Sequence, residues 1–470
     1  MSFRILSPEK AYDTAHVRQL LSAWPALSAN ATAANAVAIQ SSNSPAYVLG
    51  LLTLWSRHSL VLPLDPKIPS AEVRHLLQRE GISDLETAES LAEAYAQALS
   101  AVVQIAPRTA HQNAPESIPD PNNGPETLMP FDQPASIIRT SGSSAYPKLA
   151  QHSWSNHVYS ARGSLSYLPL GAQDRWLLSL PLYHVGGLAI VVRCWLAGAA
   201  LAIPNSQQSL AEAVAYFEPT HLSLVPTQLM RLLDDPKTYS VLQQCKAILL
   251  GGAPVSADLL HKAQQAQLQI HTSYGSTEMS SQITTTPPHY WNQTPLPPGV
   301  SGALLPHREL RFCEGEVQVR GATLFQGYRD QRQLHLPLQE GWFATGDLGC
   351  WHQGQLLITG RKDYQFISGG ENIQPEEIER YLLNCSEVQE AMVVPVSDIE
   401  FGARPVAFLL LEPHIDADTF FGSLPTLLRP HLPKFKIPLA FYLWPEHLHQ
   451  RGLKPQRKAF QNYAQALHSI

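Results

Sequence analysis

The stretch Ala46-Tyr-Val-Leu-Gly-Leu-Leu-Thr-Leu-Trp-Ser-Arg-His-Ser-Leu-Val-Leu62 decides the fold. Its apolar residues first recur at helical spacing, and after Ser59 they form a short continuous run that reads as a buried strand. Residues 70–81, SAEVRHLLQREG, again predict a helix, with Ser70 as its cap and Gly81 as its stop. Helix and strand thus alternate early, which favours an α/β architecture. The alternation resumes with strand-like RWLLSL (175–180), HLSLV (221–225) and KAILL (246–250), each followed by Gly or Pro and a helical pattern. From about Val317 the texture changes to short strands between Gly turns, EVQVRG, GWFATGD and GQLLITG, which suggests a smaller β-rich subdomain. A new unit begins after Arg361. It opens with a helix that has Pro375 at its first position and Glu376 and Glu377 in its first turn, where the helix dipole favours them. Strand-like AMVVPV, PVAFLLL and AFYLW follow, and no internal repeat is visible.

A chain of 470 residues exceeds a single core. Its apolar share of 44% and charged share of 15% exclude a disordered chain. Net charge is −6, so nothing points to nucleic acid as a partner. The 38 prolines exceed the usual ~5%, and seven of them fall in residues 107–134, which read as an exposed connector. Five cysteines form no close pair, so neither a zinc knuckle nor a redox CxxC is present. The N-terminus lacks an apolar leader. The longest apolar stretch, Leu188–Ile203, has 16 residues with Arg193 in its middle, short of the ~20 a bilayer span needs. The expectation is a cytoplasmic chain without a membrane span, with self-association left open.

The loop Thr140-Ser141-Gly142-Ser143-Ser144-Ala145-Tyr146-Pro147-Lys148 follows the strand-like ASIIR. Small hydroxyl residues let backbone N–H groups approach an anion, and Lys148 adds charge, so the composition suits phosphate. The Walker spacing is absent, and a lone Ser-rich turn is more often structural. Four more segments follow in order: LLGGAPVS (249–256), SYGSTEMSS (273–281), FATGDLG (343–349) and GRKDYQFISGGENIQPEEIE (360–379). Together the five resemble the acyl-adenylate-forming superfamily of acyl-CoA synthetases, adenylation domains and luciferases, from about residue 45 to about 460.

The resemblance implies an α/β protein. A large N-terminal domain, 1–361, would hold mainly parallel sheets, helices and the β-rich subdomain; a small C-terminal α+β lid, 362–470, would follow. It also implies ATP, Mg²⁺ and CoA as reaction partners of a small carboxylic acid. In that pattern Thr140, Ser141, Gly142, Ser143, Ser144 and Lys148 hold the β- and γ-phosphates. Thr277 contacts the α-phosphate and Glu278 holds the metal. Tyr274, flanked by Ser273 and Gly275, stacks on adenine beside the Gly251-Gly252-Ala253 backbone. Asp347 takes the ribose hydroxyls with Arg361 alongside, and Asp363 is the hinge about which the lid turns, bringing Gly369-Gly370 toward the thiol. Lys454, in HLHQRGLKPQRKAF, matches the catalytic lysine, with Lys458 as its rival. Read as single residues, Tyr274 could be core, Asp347 a turn residue and Lys454 part of a solvated basic tail. One departure is Ala145, where the family usually has Gly; at positive φ, Ala would stiffen or reshape the loop.

LPLYHVGGLAIVVRCWLAGAAL (180–201) bears on the acid. Tyr183-His184 and Gly186-Gly187 sit where the family places its acyl pocket, so His184 is a substrate-binding candidate. Arg193 lies in an apolar run, where a charge is costly unless paired. It fits a substrate carboxylate, a protein acid, or a snorkelling side chain. The segment resembles the o-succinylbenzoate–CoA ligases of menaquinone and phylloquinone synthesis, whose substrate has one activated and one unreacting carboxylate. Another aryl or medium-chain acyl ligase, a carrier-loading enzyme or a luciferase-like oxygenase would share the phosphate motifs.

Overall fold

In the computed structural model, residues 3–23, 36–105, 129–140, 147–288, 299–448 and 457–468 are described. A larger N-terminal domain carries three sheets and a smaller C-terminal domain a two-stranded and a three-stranded sheet. The first sheet runs Gln333–His335, Gly327–Asp330, Leu149–Ser153, Pro134–Arg139, Leu60–Leu64, Ala36–Gln40, Asp84–Thr87. Its last four strands are parallel, and the rest pair antiparallel. The second has a parallel centre from Arg4–Leu6 through Ala200–Ala202, Arg175–Leu177, His221–Leu224 and Ala247–Leu250 to Ile270–Ser276. Ser281–Thr285 and Ala303–Leu304 extend it antiparallel. The third, wholly antiparallel, joins Arg308–Cys313, Glu316–Gly321, Trp342–His352, Leu338–Gln339 and Gln355–Arg361.

The opening stretch explains how the first two sheets meet. In helix Pro45–Ser56 every residue from Ala46 to Trp55 is buried. It is capped by Ser44, whose side chain accepts from the Tyr47 N–H. A helix apolar all round must be covered on every side. Its Trp55 Nε1 donates to the Ala135 carbonyl of the first sheet at 3.0 Å, and its side chains share one core with Trp176, Leu178 and Leu201 of the second. Each large apolar side chain removed from water here contributes about 1.5–3 kcal/mol.

The expected helix at 70–81 forms as Ser70–Glu80, but Ser70 is its first helical residue rather than its cap. Pro69 occupies the cap position, and its hydrocarbon ring offers no side-chain acceptor to the helix N–H groups. Gly81 does stop the helix, at φ 61°. Strand RWLLSL shortens to Arg175–Leu177, and the apolar run 188–203 divides at left-handed Gly198 into helix Val185–Ala197 and strand Ala200–Ala202. No helix among the described residues is long and apolar enough to cross a membrane. Most of the proline-rich connector, 106–128, lies outside the described residues.

After the 3-10 turn Lys362–Tyr364 come the hairpin Phe366–Ser368/Glu371–Ile373 and helix Pro375–Leu382. Strands Val388–Asp398, Gly402–Leu411 and Phe441–Leu443 form the small sheet, packed on helices Ala417–Leu428 and Arg457–His468.

Glu80 closes helix Ser70–Glu80 onto the first sheet. Fully buried, it accepts from Arg79 Nε at 3.0 Å and from Arg329 Nε at 3.3 Å on strand Gly327–Asp330. Glu80→Ala removes the buried carboxylate that two guanidinium groups share and should cost about 3 kcal/mol in urea unfolding. A loss below about 1 kcal/mol would mean that water already solvates the pair.

Candidate active site

The candidate residues gather around one hairpin, Ile270–Ser276 and Ser281–Thr285, at the carboxyl end of the second sheet's parallel strands. Gly275 faces Gln282 so closely that a Cβ would lie 2.0 Å from the Ser281 carbonyl. Only glycine fits there. The reversal between the strands puts Ser280 and Ser281 at φ 54° and 103°, a conformation that costs non-glycine residues energy. Helix Trp154–Leu165 holds it in place, since Ser160 Oγ donates to the Ser280 carbonyl at 2.5 Å. Ser280 Oγ in turn donates to the Thr323 carbonyl at 3.0 Å. Thr277 and Glu278 form the tip.

On one side of the hairpin, Tyr274 Oη donates to Asp347 Oδ2 at 2.6 Å. Burial, with Asp347 beside it, pushes the Tyr274 phenol well above its ordinary pKa, so it stays a donor. Arg361 Nη1 reaches Asp347 Oδ1 at 3.2 Å, and its Nε reaches Asp363 Oδ1 at 2.9 Å. Gly251 lies against Ser273, its Cβ direction ending 3.1 Å from that carbonyl, with Gly252 at φ 84° next to Ala253. These segments are far apart in sequence yet form one polar wall.

On the other side, Tyr328 Oη donates to Glu278 Oε1 at 2.7 Å, and Lys148 Nζ sits 4.7 Å above the Tyr328 ring. The Thr140 N–H donates to the Lys148 carbonyl at 2.8 Å, closing the base of the phosphate-loop candidate. His152, buried on the strand Leu149–Ser153 that follows Lys148, bonds through Nε2 to the Thr277 carbonyl at 2.7 Å. A carbonyl only accepts, so Nε2 carries the proton. Ser141, Gly142, Ser143, Ser144 and Ala145 lie outside the described residues, as does Lys454. Tyr328, His152 and Gln282 escaped the reading of the sequence; Gly327-Tyr328 lies in an uninformative FQGYRD, and only spatial proximity singles the three out.

His184 precedes helix Val185–Ala197, its ring 4.7 Å from that of Tyr183. Arg193, one helix face away, is 1% exposed and therefore does not snorkel. Nor is it paired with a carboxylate among the described residues. It donates through Nη2 to Gln282 Oε1 at 2.8 Å and lies over the Trp176 ring at 5.3 Å. Burial lowers its pKa to about 10, still far above neutrality. The charge is kept.

No group of three or more His, Cys, Asp or Glu side chains able to cage a metal occurs among the described residues. Glu278 offers a single carboxylate with one oxygen held by Tyr328. That donor set suits Mg²⁺, which is commonly bound by one or two carboxylates plus substrate phosphates and water.

Comparisons with known proteins agree with this geometry. The AMP-binding enzyme family matches residues 22–329, and its C-terminal domain matches residues 377–451. The 2-succinylbenzoate–CoA ligase of Salmonella typhimurium is 36% identical over 91% of this chain and 87% of its own. The o-succinylbenzoate CoA synthetase (MenE) of Bacillus subtilis in complex with the acyl-adenylate intermediate OSB-AMP superposes with TM-score 0.79. That structure is 26% identical and covers 97% of this chain and 94% of its own. The same enzyme in complex with ATP and magnesium ion gives 0.73 at 26% identity, covering 94% and 92%. The chain belongs to the AMP-binding enzyme family.

Burial also sets an acid limit on the site. Desolvation lowers His152 to about 4, and His157, 5.3 Å away, well below the usual imidazole value. A folded-state pKa below the unfolded ~6.5 means that the folded state resists protonation. Stability from this source is therefore complete above pH ~6.5 and falls as pH drops toward 4. For His152 alone the loss is roughly 3 kcal/mol at most. His152→Gln should flatten that part of the slope in urea unfolding between pH 7 and 4; an unchanged slope would mean that water reaches the ring.

Proposed function

We propose that this chain is an AMP-forming 2-succinylbenzoate–CoA ligase. The observation that carries the reading is convergence on one hairpin. Tyr274–Asp347–Arg361 flank it on one side and Glu278–Tyr328–Lys148 on the other, while Gln282 of its second strand holds Arg193. Nucleotide, phosphate and acid-binding chemistry therefore share one rigid element.

The succinyl carboxylate attacks the α-phosphate of ATP, and pyrophosphate leaves. Both reactants are anions, so the site must offset their repulsion. Lys148 and the Thr140–Ser144 segment take the β- and γ-phosphates, and the Thr277 hydroxyl donates to the α-phosphate. Mg²⁺, held by Glu278, would supply charge neutralisation at the phosphates. Tyr274 packs against adenine, and Asp347 accepts from the ribose hydroxyls while Arg361 fixes its orientation. The CoA thiol then attacks the acyl carbonyl, and AMP departs. His184 borders the acyl pocket, and Arg193 faces the ring carboxylate that does not react. The catalytic lysine is Lys454. Lid and body divide at 361–362, with Asp363 as hinge, so that one small domain serves both half-reactions in turn. ATP and CoA place the work in the cytoplasm.

The test is a panel of carboxylic acids with ATP and CoA, read as pyrophosphate, AMP and acyl-CoA mass. 2-Succinylbenzoate should give all three products; a better acid lacking a second carboxylate would overturn the assignment. Lys454→Ala should slow acyl-adenylate formation roughly 10²–10³-fold while sparing CoA capture of supplied acyl-adenylate. Equal losses in both halves would make the lysine structural. Arg193→Ala should weaken use of 2-succinylbenzoate by about 2–5 kcal/mol, and use of its analogue without the ring carboxylate by less.

A further inference from the structure

Buried arginines are ordinarily matched by a carboxylate, because an unneutralised charge in a low dielectric is costly. Arg308, buried beside Arg193, has its guanidinium surrounded by oxygens: Nε donates to the Gln282 carbonyl at 2.6 Å, Nη1 to the Pro306 carbonyl at 2.6 Å, and Nη2 to Ser160 at 3.3 Å. Arg193 is held quite differently. Its principal partner is the neutral side-chain amide of Gln282, with Ser281 Oγ further off at 3.4 Å, and its Nε is buried without a hydrogen bond among the described residues.

The Gln282 amide is itself fixed at every point. Oε1 also accepts from Ser164 Oγ at 2.6 Å, Nε2 donates to Thr285 Oγ1 at 2.6 Å, and the backbone carbonyl is the one Arg308 grips. With two donors at Oε1 and an acceptor opposite Nε2, the orientation of the amide is determined by its neighbours. Gln282 is 3% exposed, and Ser164 and Thr285 are fully buried. A glutamate would fit the same volume and accept the same two bonds. It would also cancel the charge of Arg193.

We infer that Gln282 is a positioning residue for specificity: it orients Arg193 with a neutral acceptor, so that the guanidinium's charge remains available to the substrate's second carboxylate. The inference rests on the ligase reading above, in which Arg193 faces that carboxylate. Its physical content is a division of labour. Hydrogen bonds to the amide fix direction, while the uncompensated charge, supported by Arg308 close by, selects an acid that carries an extra negative group.

Gln282→Glu separates this role from a structural one, because the two make opposite demands. As a packing and hydrogen-bonding residue, glutamate is at least as good an acceptor for Arg193 and Ser164, so the melting temperature should hold or rise. The KM for 2-succinylbenzoate should nevertheless rise tenfold or more, because the guanidinium's charge is then matched within the protein. The KM for ATP, and turnover of the analogue lacking the ring carboxylate, should change much less. Gln282→Met, which removes the acceptor without adding charge, should raise the same KM by a smaller factor and serves if the glutamate variant does not fold. Equal effects on both acids, or none on either, would overturn the inference. Arg193→Ala in the same assay keeps the two readings apart. If it does not discriminate between the acids, the ligase reading of Arg193 fails; if it does and neither Gln282 variant does, only the role of Gln282 fails.

Discussion

The reversal at Ser280 and Ser281 is the constraint on which the site depends. Two serines at positive φ turn the chain so sharply that Gly275 and the Ser281 backbone come into contact. An isolated peptide would relax from that conformation. Here the clamp from Ser160 and the bond to Thr323 hold it, which places helix Trp154–Leu165 and the segment after Gly321 under the same obligation. Strain of a few kcal/mol at such a point is sustained only by surrounding packing. In return, Thr277 and Glu278 project from a fixed tip, with the Thr277 carbonyl tied to His152 and the Glu278 carboxylate to Tyr328. Tyr274 and Gln282 lie on opposite strands of the same ladder, bonded to Asp347 and Arg193 respectively.

The charges around this ladder are arranged in two contrasting ways. Arg361 is held between two carboxylates, those of Asp347 and Asp363, so its charge is spent within the protein. That suits a neighbour such as a ribose, whose hydroxyls are neutral and need direction rather than attraction. Arg193 has a neutral partner and a buried position. A buried charge without an anionic partner is costly, and the proposed substrate carboxylate would offset that cost. On the proposed reading one residue type serves orientation in one place and selection in the other, and the difference lies in the partners.

Much of the architecture was legible in the sequence because periodicity reports it directly. The apolar stretch at 46–62 became a buried helix and a parallel strand, and the Gly-punctuated segments after Val317 became an antiparallel sheet. What escaped depended on distant partners. The strand Arg4–Leu6 is three residues long and exists because Ala200–Ala202 offers it an edge. Ser70 looked like a cap because Ser usually is one, yet Pro69 preceded it and fixed the helix start one residue earlier. Among site residues, motif order singled out Tyr274, Glu278, Asp347 and Arg361. Tyr328, His152 and Gln282 carry no motif; each is tied to the site by a bond to a residue at least 50 positions away.

The link between body and C-terminal domain follows the same economy of few, directed bonds. Across the turn Lys362–Tyr364, Gln374 Nε2 donates to the Arg361 carbonyl at 2.9 Å, and the Arg361 N–H donates to Glu376 Oε1 at 3.2 Å. Arg380 Nη2 reaches the Thr359 carbonyl at 3.3 Å, and Lys362 reaches Glu316 at 2.9 Å. Inside the small domain, Arg457 grips Glu379 with both arms of its fork, and Lys436 pairs with Glu377 at 2.6 Å. Bonds across the turn are single contacts worth about 1 kcal/mol each, whereas the bidentate pair and the apolar core behind it are worth considerably more. Interior cohesion therefore exceeds attachment. That proportion is what the proposed turning of the lid about Asp363 requires: few bonds to exchange at the boundary and a cohesive interior behind them.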